Sequence, residues 1–179
     1  MNKIQAIRVL KEWDKKGRYI FTNHELAKLF PEDSRKALIA GLERLVKSGL
    51  LQRACRSIYI NKEAHCFDSY AIERITKTLR AGQYNYVSLE SALSEYGVIS
   101  QVPIDRLTVM TTGREGIYKT PYGVIEFTHT KRSAADILQN TLVDTARPLR
   151  IATKKTAWRD LKRTGRNINL ANLRELNDE

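Results

Sequence analysis

The sequence predicts an α+β fold of two domains, on three observations. Between Phe21 and Ile60, two helix-like segments precede two strand-like runs. Positive charge gathers in two blocks on either side of a near-neutral middle. Beyond residue 82, short strand patterns alternate with short helices. With one more helix at the start, the first 66 residues have the order helix, helix, helix, hairpin. That is the order of a winged helix-turn-helix. Residues 67–179 then form a small mixed sheet-and-helix domain.

Ile4, Ile7, Leu10 and Trp13 recur at helical spacing, so residues 2–15 read as the first helix. Lys15, Lys16, Gly17 and Arg18 end it in a basic turn, and Tyr19–Phe21 adds a short strand beside the hairpin. Thr22 with Glu25 makes a capping box: the hydroxyl accepts from a first-turn N–H and the carboxylate reaches back to Thr22. A helix over about 23–29 follows, closing on Leu26 and Leu29, and Pro31 breaks it. Asp33 or Ser34 caps the next helix, which runs to about Lys47, and Gly49 sits where a left-handed residue is wanted. Leu50–Arg53 and Ser57–Ile60 read as strands around a tip of Ala54, Cys55 and Arg56.

At about 100° per residue, the helix ending at Lys47 separates into two faces. Leu38, Ile39, Leu42, Leu45 and Val46 share one side; Lys36, Ala40, Glu43, Arg44 and Lys47 share the other, with Ala37 at its margin. A recognition helix needs this division, because one side packs and the other enters a major groove. Arg35 and Lys36 lie at its N-terminus, and Arg53 and Arg56 flank the hairpin tip, where a wing meets backbone or minor groove. The candidate DNA-binding residues are therefore Arg35, Lys36, Ala40, Arg44, Lys47, Arg53 and Arg56. A solvated amphipathic helix is the plainer reading of any one of them; the ordered arrangement together with the charge favours DNA.

In the second domain, 67–81 reads as a helix with Tyr70, Ala71, Ile75 and Leu79 as its apolar set, ended by Gly82. Tyr84–Val87 is strand-like, and Ser88 is placed to cap a helix from Leu89 to Tyr96, stopped by Gly97. A loop is expected over 98–103 and a strand over 106–112. Gly113–Gly116 makes a turn, and antiparallel strands over 117–119 and 123–128 flank Thr120-Pro-Tyr-Gly123. These give a small sheet with a helix against it. Ala134–Val143 fits helix or strand. A helix lies within 151–165, opened by Thr153 or Lys154, with Ala157, Trp158 and Leu161 on its apolar face, and 170–176 closes the chain as a short helix.

The chain has 179 residues and a net charge of +11, with pI about 9.8, so an acidic polymer is the first partner to consider. Residues 1–66 carry 14 Lys/Arg against 7 Asp/Glu, residues 67–130 carry 6 against 7, and residues 131–166 carry 10 against 3. The second block gives a possible second basic surface of Lys154, Lys155, Arg159, Lys162, Arg163 and Arg166. Such a surface would add backbone contacts to DNA or dock an acidic toxin or RNA; a helix merely solvated by charge is an equal alternative. No apolar run approaches the ~20 residues of a membrane span. The N-terminus lacks a signal-peptide core, and two unremarkably spaced cysteines fit a reducing cytoplasm.

Little supports an active site, and no cofactor or metal is expected. Cys55, His65 and Cys66 lack C-x-x-C spacing, and adjacent residues do not readily turn both side chains to one ion. His24 and His129 are isolated. Asp105 and Glu126 suggest a nuclease pair, but Thr128 stands where the accompanying lysine belongs. Gly113-Arg114-Glu115-Gly116 lacks the helix and Gly-Lys-Ser/Thr of a phosphate loop.

The order of signals resembles the AbiEi family, the antitoxins of type IV abortive-infection toxin–antitoxin systems. GLLQRACRSIY closes a wing like theirs. YVSLESAL followed by SEYGVIS is similar to the opening of their second domain, TVMTTGR and TPYGVIEFTH look like its sheet, and IATKKTAWRDLKRTGRNINLANLREL looks like the final helical segment. Ser57 departs from the glycine frequent in relatives, and the longer members have further C-terminal helices. The resemblance implies a cytoplasmic, non-enzymatic antitoxin that binds inverted repeats in its own promoter as double-stranded DNA. It implies repression of the operon and opposition to a nucleotidyltransferase-like toxin, in many cases without a stable complex. Direct toxin binding through the second basic block is one alternative. A plain winged-helix transcription factor with a ligand-sensing second domain is another.

Overall fold

The chain folds as two compact units, residues 1–71 and 72 onward. A computed structural model describes residues 1–100 and 105–177. The fold is α+β, with eight α-helices and two sheets among the described residues. None of the described helices is long and apolar enough to cross a membrane.

In the first unit, α1 (Lys3–Asp14) starts on Asn2, whose side chain accepts from the Gln5 N–H at 2.8 Å. Strand β1 (Ile20–Thr22) runs into α2 (Asn23–Leu29) through the capping box anticipated above. Thr22 Oγ1 accepts from the Glu25 N–H at 3.1 Å, and the Glu25 carboxylate accepts from the Thr22 N–H at 2.8 Å. Caps of this kind contribute about 1 kcal/mol. Helix α3 (Arg35–Lys47) starts on Ser34, whose hydroxyl accepts from the Ala37 N–H at 3.2 Å. Gly49, at φ 75°, turns the chain out of it. Strands β2 (Gln52–Cys55) and β3 (Ile58–Ile60) form an antiparallel hairpin, and β1 pairs on the other side of β3. Leu10, Phe21, Leu26, Leu38, Leu42 and Leu45 meet in one core under this sheet and the three helices. Burial of each such side chain contributes about 1.5–3 kcal/mol.

Two expectations for this unit are corrected. Ile39 is 47% exposed and does not join the apolar side of α3. Leu38, Leu42 and Leu45 define the buried stripe, and Ile39 stands about 100° from Leu38, beyond its edge. Gly41 is buried in its stead, because its missing side chain makes room for Met1. The hairpin tip also moves by a residue. Ala54 and Cys55 belong to β2, and the turn is Arg56-Ser57. The pairing passes from Arg53↔Tyr59 to Cys55↔Ile58, so Ala54 is an extra, bulged residue, and its methyl is buried.

The helix expected from 67 begins only at Ala71 as α4 (Ala71–Leu79). The preceding segment is held in the first unit instead. The Asp14 carboxylate accepts from the His65 and Cys66 N–H groups, each at 3.0 Å, and Tyr19 donates its hydroxyl to Asp68 at 2.8 Å.

In the second unit, β4 (Asn85–Val87), α5 (Leu89–Glu95), β5 (Arg106–Thr111), β6 (Gly116–Thr120) and β7 (Gly123–His129) follow the sequence pattern closely. The loop expected over 98–103 lies outside the described residues from 101. The segment 134–143 is both of its alternatives in turn: α6 (Ala134–Gln139), then β8 (Thr141–Leu142). Strand β9 (Arg150–Ala152) precedes α7 (Lys154–Thr164), which Thr153 caps, and α8 (Leu173–Asn177) closes the described chain. The sheet is larger than expected, six strands in the order β6-β7-β5-β4-β9-β8. It is mixed, since β5 and β7 are parallel, as are β4 and β9. Helix α5 packs on β5 and on α7.

Ser88 stands at the N-cap of α5 but makes no cap bond. Its hydroxyl donates instead to the fully buried Asp160 carboxylate at 2.8 Å. Leu89 follows at φ 58°, a left-handed conformation that a bulky residue rarely holds. Complete burial of its side chain keeps it there.

Candidate nucleic-acid interface

A groove runs between α3 and the β2–β3 hairpin. Arg35 and Lys47 line it from α3, and Arg53 and Arg56 from the hairpin. Ile39 and Glu43 lie between them on the helix side. Three of these cations have a local reason for their place. Ser34 fixes the start of α3 and hence Arg35. Arg53 stands on β2 opposite Tyr59, and its guanidinium donates to the Cys55 carbonyl at 3.4 Å. Arg56 occupies the turn, beside Ser57 at φ 65°. Two bonds hold that turn against α2. The Asn23 N–H donates to the Ser57 carbonyl at 3.0 Å, and the Asn23 side-chain amide donates to the Ser57 hydroxyl at 3.4 Å.

The seven DNA-binding candidates therefore divide. Arg35, Lys47, Arg53 and Arg56 share the groove. Lys36 is exposed and Ala40 half-buried on the ridge beside it. Arg44 is on the far flank, where it lines a depression with Lys3 and Ser48. Among the described residues no ion pair engages Arg35, Lys36, Arg44, Lys47, Arg53 or Arg56. Such a group of uncompensated cations offers a phosphate backbone charge contacts at no cost in broken ion pairs.

The second basic block is arranged differently. Arg166 bonds the carboxylates of Glu90 and Glu126. Arg163 donates to the His129 carbonyl at 3.1 Å, and Arg159 lies 3.5 Å from Asp136. Lys154 donates to the Glu175 carbonyl at 3.0 Å. Lys162 lies over the Trp158 ring, 5.6 Å from its centroid, and Lys155 is exposed. Much of this block is thus bound to the unit that carries it.

Apart from Glu126 and Arg166, the sequence reading passed over the buried acids of this unit and the arginines that bind them. Glu73, Glu90, Glu126 and Asp160 are all buried. Arg147 bonds Glu73, and its guanidinium also donates to Glu95 at 2.8 Å. Arg132 donates to Asp160 at 2.7 Å, and Arg106 to Glu126 at 2.6 Å. Burial works to raise the Glu126 carboxyl, but the hydrogen bonds and charges of Arg166 and Arg106 outweigh it and hold the group below its ordinary value. The reverse holds at Tyr86: burial and the Asp160 carboxylate push its phenol up. The only trace of this lattice in the sequence is the segregation of charge, near-neutral over 67–130 and basic over 131–166. Glu126, which the sequence set beside Asp105, is thus a buried carboxylate held between two arginines. The described residues hold no cluster of three His, Cys, Asp or Glu placed to bind a metal ion.

No family model matches the chain, and no curated protein matches it. Its fold is similar to that in the crystal structure of the RV2827C protein from Mycobacterium tuberculosis, at a TM-score of 0.59 and 15% identity. The match covers 88% of this chain and 60% of that one. The likeness is one of fold.

Proposed function

We propose that the first unit is a winged helix-turn-helix that binds double-stranded DNA. In this reading α3 is the recognition helix and the β2–β3 hairpin is the wing. The observation that carries it is the four-cation groove between them, with no ion pair engaging its cations among the described residues. The paired arginines of the second unit give a contrast within the same chain. Together with the sequence resemblance to AbiEi antitoxins, this supports a cytoplasmic, non-enzymatic antitoxin and autorepressor. It binds inverted repeats in its own promoter and opposes a nucleotidyltransferase-like toxin encoded beside it.

Gel-shift titration on the DNA upstream of the gene tests the reading. The wild-type chain should retard that duplex, and Arg35→Ala with Arg53→Ala should weaken binding at least tenfold. Unchanged binding in that double variant would reject the groove. Expression of the neighbouring gene with and without this chain tests the antitoxin role: rescue of growth is expected, and continued toxicity would refute it.

A further inference from the structure

Ile39 is the one large apolar side chain on α3 that is left largely exposed, at 47%. It stands in the groove with Glu43 one turn further on, and the four cations stand around them. Exposed isoleucines are common, and alone this one would mean nothing. Its setting gives it meaning. Glu43 is the single carboxylate lining the groove, and a carboxylate there repels phosphate. A sugar–phosphate strand is therefore drawn to Arg35, Lys47, Arg53 and Arg56 and driven from the space before Ile39 and Glu43. What remains to face those two is a base edge.

Only two features of a major groove suit them. The C5-methyl of thymine is apolar, and the exocyclic amines of cytosine and adenine donate hydrogen bonds. Resting on the DNA-binding reading above, we infer that Ile39 is a specificity-determining residue that packs on a thymine methyl. Glu43 accepts from the amine of a neighbouring base. The reading face of α3 is then Ile39 and Glu43, rather than the ridge of Lys36, Ala40 and Arg44 that the helical wheel selects.

The test starts from duplexes recovered by selection of a randomised pool on the full chain. Thymines in the recovered site are then replaced singly by deoxyuridine, which removes only the methyl. For the wild type, one replacement should weaken binding about fourfold, the worth of one buried methyl. Ile39→Ala should bind the thymine duplex about as weakly as the wild type binds that uracil duplex, and should not distinguish the two. Because Ile39 is exposed, circular dichroism and the unfolding midpoint of the variant should match the wild type. A wild type that binds tightly yet ignores every deoxyuridine overturns the inference and leaves DNA binding intact. A pool that yields no bound duplex at low salt overturns the DNA reading itself, and this inference with it.

Discussion

The backbone N–H of Asn23 donates to the carbonyl of Ser57 at 3.0 Å, so the tip of the hairpin is fastened to the first turn of α2. That bond sets where Arg56 stands relative to α3. A hairpin free to swing would scatter the four groove cations; a fastened one presents them together. Positioning of this kind lowers the ordering cost of binding.

Ser57 makes the bond in a left-handed conformation, at φ 65°. For a residue with a side chain this costs roughly 1–2 kcal/mol, part of which glycine regains and part of which its unfolded-state entropy cancels. Ser57→Gly should therefore be neutral or stabilising by up to about 1 kcal/mol in urea unfolding. Ser57→Val, β-branched at the same φ, should lose about 1–2 kcal/mol. Stability of the valine variant equal to wild type would refute the left-handed turn.

The buried Asp160 carboxylate accepts from Tyr86, Ser88 and Arg132. Asp160→Ala leaves Arg132 without its buried partner, and breaking such a pair costs about 3–5 kcal/mol. Thermal unfolding should register that loss. DNA affinity per folded molecule should not change, since the groove cations lie in the other unit.

Much of the first unit was legible because its signals are local. Thr22 and Glu25 specify a helix start by themselves, and α2 has the predicted bounds. Ser34 and Gly49 did the same for α3. Ile39 was misread because a hydropathy wheel records type and not neighbours; its exposure depends on how far the core reaches around α3. Strand β9 was missed because three residues carry no periodicity, and only its pairing to β4 and β8 defines it. Ser88 looked like a cap, and the competing acceptor is 72 positions away. The division of the basic side chains into a groove of four and a structural lattice was illegible for the same reason: the partners are distant in the chain.

Glu126 gives a pH dependence. Its carboxyl is held below its ordinary value of 4.5 in the folded chain, against burial, by Arg166 and Arg106. A depressed carboxylate stabilises the fold above its unfolded pKa, and that stability is lost as pH falls through the folded value. Urea midpoints should therefore fall as pH drops below about 4.5. Glu126→Gln should be less stable at neutral pH and should show a shallower fall on acidification. Parallel profiles for the two proteins would contradict the arginine clamp.

Lys155 and Lys162 are the exposed lysines of α7. If DNA lies in the groove of the first unit, Lys155→Ala with Lys162→Ala should change duplex affinity less than twofold. A tenfold loss in the same gel shift would place part of the interface on α7.

The salt dependence of duplex binding tests the groove most directly. Each phosphate contacted by a cation adds about 0.9 to the slope of log affinity against log salt. Arg35, Lys47, Arg53 and Arg56, replaced one at a time by alanine, should each reduce that slope by about 1. A slope that stays at the wild-type value in all four variants, with binding retained, would show that the DNA lies elsewhere on the chain.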